Sequence, residues 1–234
     1  MIGTAAVVIM TAVASVAAAA VIAARQHERA ALTERRPSGI PAAIPSGTVS
    51  LMGLSPVPAS KAPGFVLTDQ DDHTRPLSGF RGKVVVLEFM DSRCTDICPL
   101  VSREFIDAYH DLGSAAGDVV FAAVNVNGQY NQVGDVLAYS RAHQLTAIPD
   151  WYFFTGPASA LQAVWRAYAI AVAASSRGTL VHTSAIFFIG PHGTERYIAD
   201  PVPDRTASGA AYLPPGQISG WGQGIAQVAE TMLR

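Results

Sequence analysis

Lys83-Val84-Val85-Val86-Leu87-Glu88-Phe89-Met90-Asp91-Ser92-Arg93-Cys94-Thr95-Asp96-Ile97-Cys98-Pro99 places an apolar run directly before two cysteines separated by three residues, the only cysteines in the 234-residue chain. No proline or glycine interrupts Lys83 to Phe89, so the run reads as a buried strand. Pro99 is tolerated only in the first turn of a helix, where its missing N–H removes no hydrogen bond. The strand therefore ends in a turn that opens a helix at the cysteines. Unpaired N–H groups and the helix dipole favour thiolate over thiol at such a terminus. Thiolates bind soft metals and exchange disulfides, so the chemistry is that of paired sulfur.

Working outward, Val101, Phe105, Ala108, Tyr109 and Leu112 recur at helical spacing, and Gly113 marks a stop. Residues 119–126 read as a strand, 133–144 as a helix, 151–155 as a strand and 159–170 as a helix. Residues 184–189 and 195–198 flank Gly190-Pro191-His192-Gly193, a hairpin signal, and 218–233 form a closing helix. Upstream, Phe65-Val66-Leu67 precedes a polar turn at 69–73. There is no internal repeat. Alternating elements that end in a hairpin and a helix predict an α/β domain of thioredoxin-like plan, a central mixed sheet flanked by helices.

Residues 1–24 contain no charged side chain. At about 1.5 Å per residue they span roughly 30 Å of hydrocarbon, and they read as a transmembrane helix or signal anchor. Small residues at Ala19, Ala20, Ala23 and Ala24 suit the alternative, a cleaved signal peptide. Arg25, Arg29, Arg35 and Arg36 follow the apolar run, and the positive-inside rule alone would keep the next domain in the cytoplasm. Residues 25–61, rich in Pro, Ser and Gly, read as a tether, and 62–234 as the folded domain. A formal net charge of −2 and a pI near 6.3 give no basic field, which excludes sequence-blind nucleic-acid binding as the main role.

The plainest role for two cysteines in an exported chain is a structural disulfide. A bridge over three residues closes too small a loop to restrict the unfolded chain much, so redox or metal chemistry is favoured. Two thiolates suit Cu(I), and a site that also accepts Cu(II) adds imidazole. Of the six histidines, His27, His73, His110, His143 and His192 occupy polar stretches, helix faces or turns. His182 stands just before the buried run 185–189, at the end of a core element, and is the candidate third ligand.

Four stretches together resemble the SCO/SenC family. They are residues 62–69 (Ala-Pro-Gly-Phe-Val-Leu-Thr-Asp), residues 80–89, Cys94-Thr95-Asp96-Ile97-Cys98-Pro99-Leu100, and Val181-His182-Thr183 ahead of residues 186–193. The resemblance covers roughly 62–233 and implies a thioredoxin-like, membrane-tethered domain that holds copper through Cys94, Cys98 and His182. It also implies an extracytoplasmic, single-pass protein of the cell membrane that serves the binuclear copper site of cytochrome c oxidase subunit II. A further copper chaperone or a thiol reductase would be its other partner. Thr95 replaces the proline that many members carry after the first cysteine, and Val181 replaces an acidic residue before the histidine.

The principal expectation is thus a copper metallochaperone. The alternative is an enzyme, an extracytoplasmic thiol-disulfide oxidoreductase using Cys94 and Cys98, although dedicated oxidoreductases of this architecture use Cys-x-x-Cys. Thr95-Asp96-Ile97-Cys98-Pro99 also resembles part of a peroxiredoxin site, but Asp91 stands where that family has proline. Met90, Ile97 and Leu100 are candidates for an apolar docking rim. Asp91 and Asp96 are candidates to orient the histidine, Thr95 or Asp96 to cap the helix. The Ala-, Gly- and Pro-rich stretch 201–215 is either disordered or a cover for the site.

Overall fold

The computed structural model describes residues 36–174, 180–201, 204–207, 211–214 and 216–234. Among them the chain runs α1 (Ser46–Leu51), β1 (Ser55–Lys61), β2 (Val66–Thr68), β3 (Thr74–Pro76), β4 (Val84–Met90), α2 (Cys98–Leu112) and β5 (Val119–Asn125). It continues through α3 (Val133–Ala142), β6 (Trp151–Phe154), α4 (Ala158–Ala167), β7 (Val172–Ala174), β8 (Leu180–His182), β9 (Ile186–Ile189), β10 (Thr194–Ala199), β11 (Asp204–Arg205), β12 (Ala211–Tyr212) and α5 (Gln217–Leu233).

Six strands form the central sheet in the order β1-β10-β9-β4-β5-β6. β4, β5 and β6 are parallel, and β9 pairs antiparallel with β4. Every residue of β4 and β5 is buried, as expected for strands covered on both faces. Side-chain alternation sorts β4 between two cores. Val84, Val86 and Met90 pack with Val101 and Phe105 of α2 and with Trp221 and Ile225 of α5. Val85, Leu87 and Phe89 pack on the other face with Leu161, Val164 and Trp165 of α4. The expectation of a mixed central sheet flanked by helices is met.

α5 approaches α2 closely enough that only glycine fits at Gly222, where a Cβ would lie 2.6 Å from Asp107 Cβ and 3.0 Å from the Ala108 nitrogen. The tight chain reversal between β9 and β10 uses Gly193 at φ +72°, a left-handed conformation that glycine adopts without steric cost.

The tether reading gives way over part of its length. The compact unit that holds the sheet begins at Ser38, and Ile40, Ile44, Val49, Met52 and Leu54 are buried in its core. β1 pairs antiparallel with β10 as an edge strand. Pro56 and Pro58 lie in that edge, where a strand loses nothing by lacking N–H donors on its outer, solvent-facing side. Proline content therefore misled the boundary at residue 62. The expected membrane helix at 1–24 lies outside the described residues, and no helix among the described residues is long and apolar enough to cross a membrane.

Candidate functional site

At the C-terminal end of β4 the backbone turns through Asp91, Ser92 and Arg93 before α2 begins at Cys98. The turn is held from within and from the side. Asp91 Oδ1 accepts hydrogen bonds from the Arg93 N–H and from Asn127 Nδ2, both at 2.8 Å, and the Cys94 N–H reaches the Asp91 carbonyl at 3.0 Å. Asn125, the last residue of β5, accepts from the Ser92 N–H at 3.3 Å and from the Asn127 N–H at 2.9 Å. Its amide donates to the Tyr130 carbonyl, which Ser92 Oγ also reaches, each at 2.8 Å. Arg93 lies over the Tyr130 ring at 4.7 Å. Sequence reasoning missed Asn125 and Asn127. Their signal was two amides at the end of a strand otherwise without polar side chains.

Both cysteines are free. Cys98 is 2 % exposed at the first turn of α2, whereas Cys94 is partly exposed in the turn. The Cys98 N–H donates to Cys94 Sγ at 3.4 Å. The Cys94 thiol is pulled down to about 6, chiefly because the Cys98 thiol hydrogen-bonds to it, with help from the Asp96 and Cys98 N–H groups. Cys98 moves the opposite way, raised by that same hydrogen bond and by burial. One sulfur is thus a thiolate at neutral pH and the other keeps its proton. This asymmetry is what thiol-disulfide exchange needs, and a preformed thiolate is also a ready ligand for a soft metal.

His182 ends β8, a short strand that pairs only with β7. Its Nδ1 lies 2.9 Å from the Thr183 carbonyl, which can only accept, so Nδ1 carries the proton and the Nε2 lone pair is left available. Burial lowers its pKa and keeps the ring neutral, partly offset by the Thr183 carbonyl and the charge of Asp91. Asp91 therefore lies within electrostatic reach of the ring. The orienting partner is the Thr183 carbonyl rather than Asp91 or Asp96. Among the described residues no three His, Cys, Asp or Glu side chains are grouped closely enough to hold a metal ion. The fold brings Cys94 and Cys98 together and leaves His182 outside that pair.

Two more expectations change here. Met90 is fully buried in the core and offers no docking rim, whereas Ile97 and Leu100 border a small crevice with Leu213 and Trp221. Neither Thr95 nor Asp96 caps α2, whose N-cap position is Ile97 with no side-chain hydrogen bond. Asp96 Oδ1 instead accepts the Ala211 N–H at 2.7 Å, fastening β12 to the cysteine turn. That contact ties one described residue of the stretch 201–215 to the site.

Beneath the turn lie two carboxyl groups that sequence reasoning did not single out. Glu88 in β4 and Glu104 in α2 are 1 % and 2 % exposed, and each has an Oε2 without a hydrogen-bond partner. Glu88 Oε1 accepts from Ser184 Oγ at 3.2 Å. Burial raises the Glu88 carboxyl well above its ordinary value and lifts Glu104 to about 8, so Glu104 is protonated at neutral pH.

Solved structures share this fold. Arabidopsis thaliana ScoI with copper bound is 18 % identical, with a TM-score of 0.57 over 73 % of this chain and 99 % of that one. A SCO1/SenC family lipoprotein from Bacillus anthracis is 16 % identical, with a TM-score of 0.61 over 77 % and 98 % of the two chains. BsSco, a member of the Sco family of cytochrome c oxidase assembly proteins in which a disulfide switch was identified, is 20 % identical, with a TM-score of 0.53 over 64 % and 88 %. None of the curated proteins matches the chain in sequence. The family model for SCO1/SenC matches residues 55–208, a span that holds both cysteines, His182 and the central sheet, and the chain belongs to that family.

Proposed function

We propose that this chain carries copper as cargo, with Cys94, Cys98 and His182 as its ligands, and delivers it to the binuclear copper site of cytochrome c oxidase subunit II. The observation that carries the reading is the pairing of a preformed Cys94 thiolate with the protonated Cys98 beneath it; His182, apart from that pair, is a neutral imidazole whose Nε2 is available. Two sulfurs and one imidazole suit copper in either oxidation state. Loading brings His182 to the sulfurs, and β8 can carry it because that strand pairs with β7 alone, outside the central sheet. Copper in the Arabidopsis thaliana structure and the assembly role of the BsSco family support the cargo and the destination. The lipoprotein from Bacillus anthracis supports an anchored, extracytoplasmic domain, here with residues 1–24 as a single-pass helix.

The test is copper stoichiometry on the full chain, reduced without oxygen, beside Cys94→Ser, Cys98→Ser and His182→Ala. One ion per chain is expected, lost with either cysteine change. His182→Ala weakens Cu(II) more than Cu(I), because imidazole suits the harder ion. Equal losses for both ions remove His182 from the ligand set.

The split between the two thiols also favours a second reading, thiol-disulfide exchange with a partner. The Cys94 thiolate attacks one sulfur of the partner's disulfide, and the other leaves as a thiolate. Cys98 then loses its proton and attacks Cys94, which releases the second partner thiolate. The partner gains two electrons and this chain becomes the disulfide. A midpoint potential too high to reduce a partner's disulfide, with tight copper binding in the same protein, decides for the carrier.

A further inference from the structure

At the opposite end of β4 from the cysteines, about 20 Å away along the strand, a cavity of about 230 Å³ opens to the surface. Leu77, Phe80, Val85 and Ile189 line it with apolar surface, and Lys61, Arg81 and Lys83 stand among its lining residues, which include no carboxylate. The apolar side is fixed in place, since the Phe80 ring packs on Tyr152 at 4.8 Å and lies 6.1 Å from Phe154. Of the three cations, Lys83 is neutralised by Asp150 at 2.8 Å. Arg81 Nη1 donates to the His192 carbonyl at 3.3 Å, a neutral partner that leaves its charge and most of its donors free. Lys61 is exposed, beside the entry.

We propose that this cavity is a second ligand site, for a small molecule with a flat or short apolar body and a single carboxylate. A water takes about 30 Å³ of liquid volume, so the cavity has room for a ligand on the order of ten non-hydrogen atoms. The apolar side takes the body. The Arg81 guanidinium, a planar fork matched to a carboxylate, takes the head, and Lys61 adds a second charge at the mouth. The cavity is lined by neither cysteine nor by His182. The site is separate from them in space and in chemistry.

The test uses the full chain in nanodiscs of neutral lipid, with 4-fluorobenzoate as probe and its ¹⁹F signal as the readout, empty nanodiscs serving as the blank. Saturable line broadening is expected, at least tenfold weaker in Lys61→Glu/Arg81→Glu, with the melting temperature and copper stoichiometry of that variant unchanged. If the variant melts early, Arg81→Gln alone replaces it and the same weakening is required. Equal broadening with neutral 4-fluorobenzyl alcohol, or undiminished binding by the charge variants, overturns the proposal. Loss of the probe from the protein when phosphatidylglycerol replaces the neutral lipid assigns the cavity to a lipid phosphate and overturns the free carboxylate.

Discussion

The backbone N–H of Cys98 points at the sulfur of Cys94 across 3.4 Å, so the first turn of α2 treats that sulfur as its capping acceptor. A sulfur in this position is stabilised as an anion, while the cysteine that supplies the N–H keeps its proton in the core.

Alkylation therefore distinguishes the two thiols. Iodoacetamide is expected to modify Cys94 first, with a rate that rises through pH of about 6 and levels off above it. Cys98→Ala removes the main stabilising donor, and the Cys94 rate at pH 7 is expected to fall by roughly tenfold. Mass spectrometry after a timed quench reads both. A Cys94 rate that still climbs between pH 8 and 9 in the native chain contradicts the assignment.

Glu104 makes stability depend on pH. Its folded pKa, about 8, lies above the ordinary 4.5, so between those values the unfolded chain releases a proton that the folded chain retains. Stability is greatest below the lower value and falls as pH rises towards the upper one. Glu104→Gln is expected to flatten that fall by up to about 1.4 kcal/mol per pH unit, leaving the part due to Glu88. Urea melts at pH 5, 6.5 and 8 measure it, and parallel curves for the two proteins rule it out.

Gly222→Ala is expected to lower stability by about 1–3 kcal/mol through overpacking. The added methyl would meet Asp107 and the α2 backbone rather than a flexible side-chain end. Gly134→Ala in α3 is the control, since a Cβ there meets nothing within 4 Å. A loss of similar size at both positions would point to backbone effects instead of the close approach of the two helices.

Asp69 is fully buried and organises the turn between β2 and β3. Its carboxylate accepts the Asp71 and His73 N–H groups at 3.0 and 2.9 Å and Arg75 Nε at 2.6 Å. Asp69→Ala strips three donors of their acceptor and is expected to cost about 3 kcal/mol. Arg75→Ala should cost far less, because that side chain is 40 % exposed. Thermal melts of the two variants settle the ranking.

Asp96→Ala unfastens β12 from the cysteine turn by removing the acceptor of the Ala211 N–H. Hydrogen exchange at that amide is expected to quicken by about tenfold, the kinetic equivalent of about 1.4 kcal/mol. An unchanged rate shows that β12 is held by other contacts.

The strand carrying the cysteines, the helix after it and the closing helix were legible because each has a strong period and clear punctuation, with boundaries within a few residues of those observed. β1 was not, since Pro56 and Pro58 signal a break in any strand except one at a sheet edge, and edge position is decided by a partner 133 residues or more away, as in Lys61 with Thr194. The cysteine pair was legible as a site from spacing alone. The Asn125 and Asn127 brace was not, because amides at a strand end look like ordinary loop residues until folding sets them against Asp91. His182 was singled out by its place before the buried run 185–189 and again by resemblance, and its orienting Thr183 carbonyl belongs to the backbone, which sequence does not distinguish.

The glycine face of α5 bears on when the cysteines acquire their properties. α2 rests against the last helix of the chain, with Trp221 and Ile225 completing the core around Val101 and Phe105. A partly made chain that lacks α5 lacks that wall, so Cys98 stays wet and the contrast between its sulfur and that of Cys94 is weak. Reactivity is thereby deferred until α5 has been made and has docked.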